Sequence, residues 1–309
     1  MSGMRWDRLK DLPRTWIQAG WALLTNSHIS GFVTGRLYQG RLKRVCLPGL
    51  NCYSCPGSLG SCPIGSLQAV LGSAGTRFSY YIVGFFMLVG GLLGRFVCGF
   101  LCPFGWIQEL LHKIPFPVKK RTFRLDRPLR HAKYAILAIF VIILPLTVVN
   151  AAGGGSPWFC KWICPAGTLE AGLPLVALTP ALRGIVGWLF GWKAFVLLAV
   201  IAGSVIIARP FCKYICPLGA VYGLFNRAAI LRYRFNADQC VRCGKCAAVC
   251  PMAIDPVAER NHAECVRCGN CRHACPRGAI GLSVGRGSQR LPTEDRAVQR
   301  EQPQPQREA

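Results

Sequence analysis

The phrase Cys-Pro-x-Gly occurs four times in this chain, each time beside an apolar segment: SCPIGSLQ from Ser61, LCPFGWIQ from Leu101, ICPAGTLE from Ile163 and ICPLGAVY from Ile215. Proline at the first helical position needs no N–H partner and presets the turn. The cysteine before it then stands at a helix N-terminus, where the macrodipole and free amides favour negative charge by about 0.3–1 kcal/mol at exposed sites. A thiolate is such a charge. The glycine two places after Pro leaves room for a bulky group or a close helix. Three phrases extend upstream to C-x3-C-P, through Cys98 and Cys102, Cys160 and Cys164, and Cys212 and Cys216. The repeat therefore specifies short helices that begin at a thiol, a device for presenting metal ligands.

The segments between the phrases are long and apolar. A membrane span needs about 17–25 mainly apolar residues. Phe78–Gly94, Tyr134–Val149 and Gly184–Ala208 read as spans of about that length, the last with a single charge, Lys193, placed to snorkel. Thr15–Gly35 is uncharged but holds Gln18, Asn26 and His28, so it reads as a fourth span or as an interfacial helix. The bulk values agree: 52% of the 309 residues are hydrophobic and 16% are charged. The membrane region divides into halves, 15–116 and 131–226, each reading span, Cys-Pro phrase, span, Cys-Pro phrase. Duplicated halves of this kind are related by an axis along the membrane normal.

The net charge of +24 fits either nucleic-acid binding or cytoplasmic loops, which collect Lys and Arg. Placement decides for the second. Loop 97–130 carries Lys113, Lys119, Lys120, Arg121, Arg124, Arg127 and Arg130, whereas loop 150–183 carries only Lys161 and Arg183. The first is expected in the cytoplasm and the second outside. Loop 36–77 conflicts mildly: it should lie outside, yet it holds Arg36, Arg41, Lys43, Arg44 and Arg77. No nucleic-acid partner and no cleavable signal peptide are expected.

Near the C-terminus the spacing is stronger still. Cys240, Cys243, Cys246 and Cys250-Pro251 spell C-x2-C-x2-C-x3-C-P, and Cys265, Cys268, Cys271 and Cys275-Pro276 spell it again. This is the bacterial two-cluster ferredoxin run, in which the fourth cysteine serves the other cubane. Cys240, Cys243, Cys246 and Cys275 are thus assigned to one [4Fe–4S] cluster, and Cys265, Cys268, Cys271 and Cys250 to a second. Paired zinc knuckles use separated C-x2-C pairs rather than three cysteines in a tight row.

Grouping the remaining cysteines by membrane side gives Cys98, Cys102, Cys212 and Cys216 on the inner face, the number one further cluster needs. The outer face offers Cys46, Cys52, Cys55, Cys62, Cys160 and Cys164, four of which could hold another. The alternatives there are disulfides or a structural metal. No C-x-x-C-H haem motif is present, and His112 and His131 read as ordinary residues of a basic loop. Gln18, Asn26 and His28 either bind a quinone headgroup or make hydrogen bonds between helices. No catalytic residues stand out.

The stretch PGLNCYSCPGSLGSCPIGSLQ (48–68), the C-x3-C-P phrases and the double ferredoxin run together resemble the NapH/NosR/MauN-type membrane iron–sulfur proteins, including the YccM-like polyferredoxins. The resemblance covers residues 14–283. It implies an α-helical membrane domain of about four transmembrane helices with a C-terminal α+β ferredoxin domain in the cytoplasm. It also implies electron transfer between the quinone pool, cytoplasmic donors and redox partner proteins. The chain is therefore expected as a multi-pass inner-membrane protein. Residues 1–14 form its cytoplasmic N-terminus, 15–226 the membrane domain, 236–283 the ferredoxin domain and 284–309 a disordered tail. It is expected to act as an electron-transfer subunit, with quinol dehydrogenase activity open. The alternative is a redox sensor or a maturation factor for a metalloenzyme.

Overall fold

The computed structural model describes residues 12–73, 79–149, 154–184, 186–259 and 261–285. The expected tail and most of the expected N-terminus, with Arg77 and Phe78, lie outside the described residues. Every Cys-Pro phrase opens a helix: Pro63–Gly72, Pro103–Lys113, a helical run over 165–178, and Pro217–Phe225. Cys62, Cys102, Cys164 and Cys216 are their N-cap residues in extended backbone, with Pro inside the first turn. The first cysteine of each C-x3-C sits in a preceding single turn of helix, Phe96–Phe100, Trp158–Trp162 or Pro210–Tyr214.

Two helices are long and apolar enough to cross a membrane, Asp126–Thr147 and Trp188–Ile206. At 1.5 Å per residue they span about 33 and 28 Å. A third apolar helix, Tyr81–Leu93, is shorter. All three turn large apolar side chains outward, among them Met87, Leu88, Ile142, Leu146, Phe195 and Leu198. Asp126–Thr147 contains a π segment at Leu137–Ile143, and 165–178 contains another at Thr168–Gly172. Each lies just before a proline, Pro145 or Pro174. The missing proline N–H leaves a carbonyl one turn back without its usual donor, and the wider turn accommodates the break.

Thr15–Gly35 is not one helix. The chain forms Leu12–Thr25, breaks at Asn26–His28 and resumes as Ile29–Thr34. The Asn26 amide donates to the Ala22 carbonyl at 3.0 Å, and the His28 N–H turns to the Gly57 carbonyl at 3.1 Å. The first piece has 14 residues, fewer than a bilayer span needs.

The segment after it is not a free loop. Lys43 is buried and donates to the Ser58 carbonyl at 2.8 Å. A Cβ at Gly49 would stand 2.4 Å from the Leu101 carbonyl oxygen, so the chain passes directly over the second Cys-Pro phrase. One of the positive charges that conflict with an outward loop is thereby spent inside the protein.

Flanking the ferredoxin run, strand β1 (Leu231–Phe235) pairs antiparallel with β2 (Ile280–Val284). Short helices Lys245–Ala248 and Asn270–Ala274 follow Gly244 and Gly269, both with positive φ. The unit docks tightly on the rest of the chain. Val266 and Met252 share one core with Cys98, Cys102, Phe104 and Phe211. A Cβ at Gly99 would meet the Val266 carbonyl oxygen at 2.3 Å. Buried Glu264 accepts from Arg95 at 2.8 Å and from Lys133. Arg267 donates to the Leu93 and Asn226 carbonyls, each at 2.7 Å.

Candidate iron–sulfur sites

None of the eighteen cysteines is in a disulfide. In the ferredoxin unit, Cys250, Cys265, Cys268 and Cys271 line one small cavity, the grouping expected from the crossed pattern. Each run contains Cys-Val-Arg-Cys-Gly, and Arg242 and Arg267 adopt left-handed φ of 49° and 52°. An unusual conformation for a non-glycine residue, it tightens the turn between the first two cysteines. The Arg242 N–H points at Cys240 Sγ, 3.4 Å away. Cys275 Sγ accepts from the Ala279 N–H at 3.3 Å, and Cys246 lies within electrostatic reach of Cys240.

Burial pushes the Cys268 thiol up to about 12, and Cys265 and Cys271 rise for the same reason. Such thiols keep their protons until a cation stabilises the thiolate, and iron supplies that charge. The donor chemistry therefore fits cluster binding. Burial alone would also raise the Glu264 carboxyl, but Arg95 and Lys133 hold it down at about 2. It is a fixed anion at the docking surface.

Next to this unit lies the proximal set, Cys98, Cys102, Cys212 and Cys216. All four are buried and within electrostatic reach of one another. The surroundings repeat across the two halves. Arg95 donates to the Cys212 carbonyl at 3.2 Å, and Arg209 donates to the Cys98 carbonyl at 2.6 Å. Each arginine stands three residues before the cysteine of its own C-x3-C-P and reaches the other half. Their carboxylates differ: Arg95 pairs with Glu264, and Arg209 with Glu109, which also holds Arg14. The helix N-termini behave as the sequence requires. The Gly105 and Gly219 N–H groups donate to Cys102 and Cys216 Sγ, each at 3.4 Å.

The remaining six cysteines divide. Cys46, Cys52, Cys62, Cys160 and Cys164 line a chamber of about 980 Å³. Cys55 does not; its thiol turns to Asn26 Oδ1 at 3.7 Å. Cys46 Sγ lies 3.4 Å from Ser66 Oγ and 3.7 Å from Ser61 Oγ. Glu170 Oε2 accepts from the Cys52 N–H at 2.7 Å. Between the proximal set and this chamber stands Tyr222, fully buried, its hydroxyl donating to the Pro48 carbonyl at 3.0 Å.

Among the described residues no three Cys, His, Asp or Glu side chains converge on a single metal ion. A cubane spaces its thiolates more widely, because each binds a different iron. The polar residues of the first segment make hydrogen bonds within the protein, although Gln18 Oε1 is buried without a partner. Gln18 donates to the Gly99 carbonyl at 2.9 Å, and His28 contacts the Pro56 carbonyl at 2.9 Å and Ser30 Oγ at 3.0 Å. His112 lies against the Ser204 carbonyl and His131 against the Arg127 carbonyl.

Sequence reasoning missed two residue types. One is the arginine three places before a C-x3-C-P, at 95 and 209. The other is the residue six places after the Cys-Pro cysteine: Gln68, Gln108, Glu170 and Tyr222. Both were legible as fixed offsets within the repeat.

The model of a 4Fe-4S binding domain matches residues 78–124, 133–173, 181–236 and 271–293, more than half of the chain. That of a 4Fe-4S dicluster domain matches 232–276. An uncharacterized protein of Methanocaldococcus jannaschii is 30% identical over 165 residues, covering 53% of this chain and 61% of its own length. The methylamine utilization ferredoxin-type protein MauN of Paracoccus denitrificans is 29% identical over 169 residues, covering 54% and 50%. The ferredoxin-type protein NapH of Escherichia coli is 26% identical over 162 residues, covering 51% and 47%. The chain spans about half the length of the curated relatives it matches. No solved structure matches. With cysteines presented at helix N-termini and in a crossed ferredoxin run, and a matching family model over more than half its length, the chain belongs to the 4Fe-4S ferredoxin-type electron-transport proteins, with [4Fe–4S] clusters as its cofactors.

Proposed function

We propose that this protein relays electrons between cytoplasmic or quinone-pool donors and a redox partner protein, at or across a membrane. One observation carries the reading: the thiols of Cys250 and Cys268 pack against the same core that contains Cys98, Cys102 and Cys216. Ferredoxin thiols and proximal thiols thus share one buried wall. Cys240, Cys243, Cys246 and Cys275 would hold one cluster, Cys250, Cys265, Cys268 and Cys271 a second, and the proximal set a third. Bound clusters supply reversible one-electron transfer.

The chain's own residues supply the rest. Helix N-termini and Gly N–H groups stabilise thiolates. Arg95 and Arg209 fix the two halves of the proximal set and place positive charge beside it. The apolar helices Asp126–Thr147 and Trp188–Ile206, with Tyr81–Leu93 and the first helical pair, form the membrane part. The basic loop 97–130 marks the cytoplasmic side.

The test is iron and acid-labile sulfide on anaerobically purified protein, with electron paramagnetic resonance of the reduced sample. At least about 12 irons per chain are expected, from three cubanes. Cys102→Ala and Cys216→Ala should remove the same signal and leave the ferredoxin pair intact. About 8 irons, unchanged in both variants, would overturn the proximal site. In liposomes with ferricyanide trapped inside and dithionite outside, the protein should reduce the trapped oxidant. A rate equal to that of protein-free liposomes would remove the transmembrane reading.

A further inference from the structure

The chamber beyond Tyr222 repeats the proximal site with one member drawn from elsewhere. In the proximal site, Gln108 lies six residues after Cys102. Its Nε2 donates to Cys212 Sγ at 3.3 Å, and its Oε1 accepts from the Phe211 N–H at 3.2 Å. In the chamber, Gln68 lies six residues after Cys62. Its Nε2 donates to Cys160 Sγ at 3.3 Å, and its Oε1 accepts from the Phe159 N–H at 2.9 Å. The same clamp thus joins the first half of the chain to the second, twice. Cys62, Cys160 and Cys164 occupy the places of Cys102, Cys212 and Cys216. The place of Cys98 has no C-x3-C equivalent, because position 58 is Ser.

Cys52 fills that vacancy. A Cβ at Gly167 would stand 3.6 Å from Cys52 Sγ and 3.9 Å from Cys164 Sγ, so both thiols face the same glycine. A Cβ at Gly65 would stand 4.0 Å from Cys160 Sγ. Cys52, Cys62, Cys160 and Cys164 lie within electrostatic reach of one another. Cys46 and Cys55 already have oxygen partners, Ser66 Oγ and Asn26 Oδ1. The two glycines keep the side of the chamber nearest the sulfurs clear, as the sequence phrase implied.

We infer that Cys52, Cys62, Cys160 and Cys164 hold a further [4Fe–4S] cluster, with Gln68 as a positioning residue that donates an N–H to the Cys160 sulfur. The inference rests on the cluster-bearing reading of the proximal set and extends it to a second chamber. Donation to a ligand sulfur stabilises the more negative, reduced state, so Gln68 also raises the reduction potential of this centre.

The experiment compares metal content across variants of the full chain. Wild-type protein should contain about 16 irons, from four cubanes. Cys52→Ala, Cys62→Ala, Cys160→Ala and Cys164→Ala should each lose about four of them and the same resonance signal, while Cys46→Ala and Cys55→Ala lose none. Gln68→Leu should keep its iron and shift the reduction equilibrium of that signal about tenfold toward the oxidised form, about 59 mV for one electron. About 12 irons in the wild type, all retained in Cys52→Ala, overturns this inference and leaves the proximal site standing; about 8 irons removes both. Loss of iron in Cys46→Ala but not in Cys52→Ala would show that the wrong four were chosen. Should the alanine variants fail to accumulate, the wild-type count and the Gln68→Leu potential decide by themselves.

Discussion

The proximal site and the chamber are built from the same phrase and walled differently. The proximal thiols are flanked by two fully buried arginines and roofed by the ferredoxin unit. The chamber has no arginine at the equivalent offsets; Cys55 and Pro157 stand there. The Glu170 carboxyl accepts from the Cys52 N–H, and Lys43 and Lys193 stand in the wall. The Cys-Pro phrase thus determines where a thiol is presented, whereas residues seven before or six after its cysteine determine the charge that thiol meets. Ligand geometry is duplicated; electrostatic setting is not.

That difference is most directly broken at Arg95. Removing one partner of a buried ion pair costs about 3–5 kcal/mol, and Arg95→Met leaves Glu264 with Lys133 alone. The variant should unfold at lower denaturant and release a ferredoxin fragment on limited proteolysis. Lys193→Met, at the wall of the chamber, should change neither; equal losses would show that the arginine wall is not what distinguishes the sites.

Glycines sharpen the contrast at a smaller scale. Gly99→Ala forces a Cβ onto the Val266 carbonyl, and overpacking of this kind costs about 1–3 kcal/mol. Gly65→Ala meets only ordinary contacts in the protein itself, so its unfolding midpoint should stay put while its iron content falls. A stable Gly99→Ala would mean that the ferredoxin unit sits looser than described.

Potentials come next. Positive charge favours the reduced cluster, so in a redox titration followed by electron paramagnetic resonance the proximal signal should appear at higher potential than the chamber signal. The gap should be about 60 mV or more, a tenfold difference for one electron. The reverse order would discard the arginine argument. The smallest effect belongs to Tyr222→Phe. It removes one hydrogen bond to Pro48, about 0.5–1.5 kcal/mol, and should leave iron content and both potentials in place.

Legibility in the sequence followed the range of the interactions. The ferredoxin thiols are close in sequence, so their spacing alone announced them, and Cys250, Cys265, Cys268 and Cys271 do line one cavity. Helix starts at Cys-Pro were equally local. The apolar segments gave Trp188–Ile206 and Asp126–Thr147, but Thr15–Gly35 divides at Asn26–His28, where His28 bonds to the Pro56 and Gly57 carbonyls that only the fold brings near. The ion pairs of Arg95 and Arg209 were hidden for the same reason. Their partners lie 169 and 100 residues away, so the fixed offset marks the arginines without naming the carboxylates they meet. The net charge was consequently read as loop charge, although Lys43, Arg95, Lys133, Arg209, Lys213 and Arg267 are all interior.

The Arg95–Glu264 pair also has a meaning in time. A ribosome delivers Arg95 long before Glu264. The guanidinium cannot be buried with its proper anion until the first half of the ferredoxin unit has been made, Cys240 to Cys250 included. The proximal thiols are therefore closed over last, by the same segment that carries the ferredoxin cysteines. Folding is thereby ordered: the helical part stays open until the segment that caps it has been made.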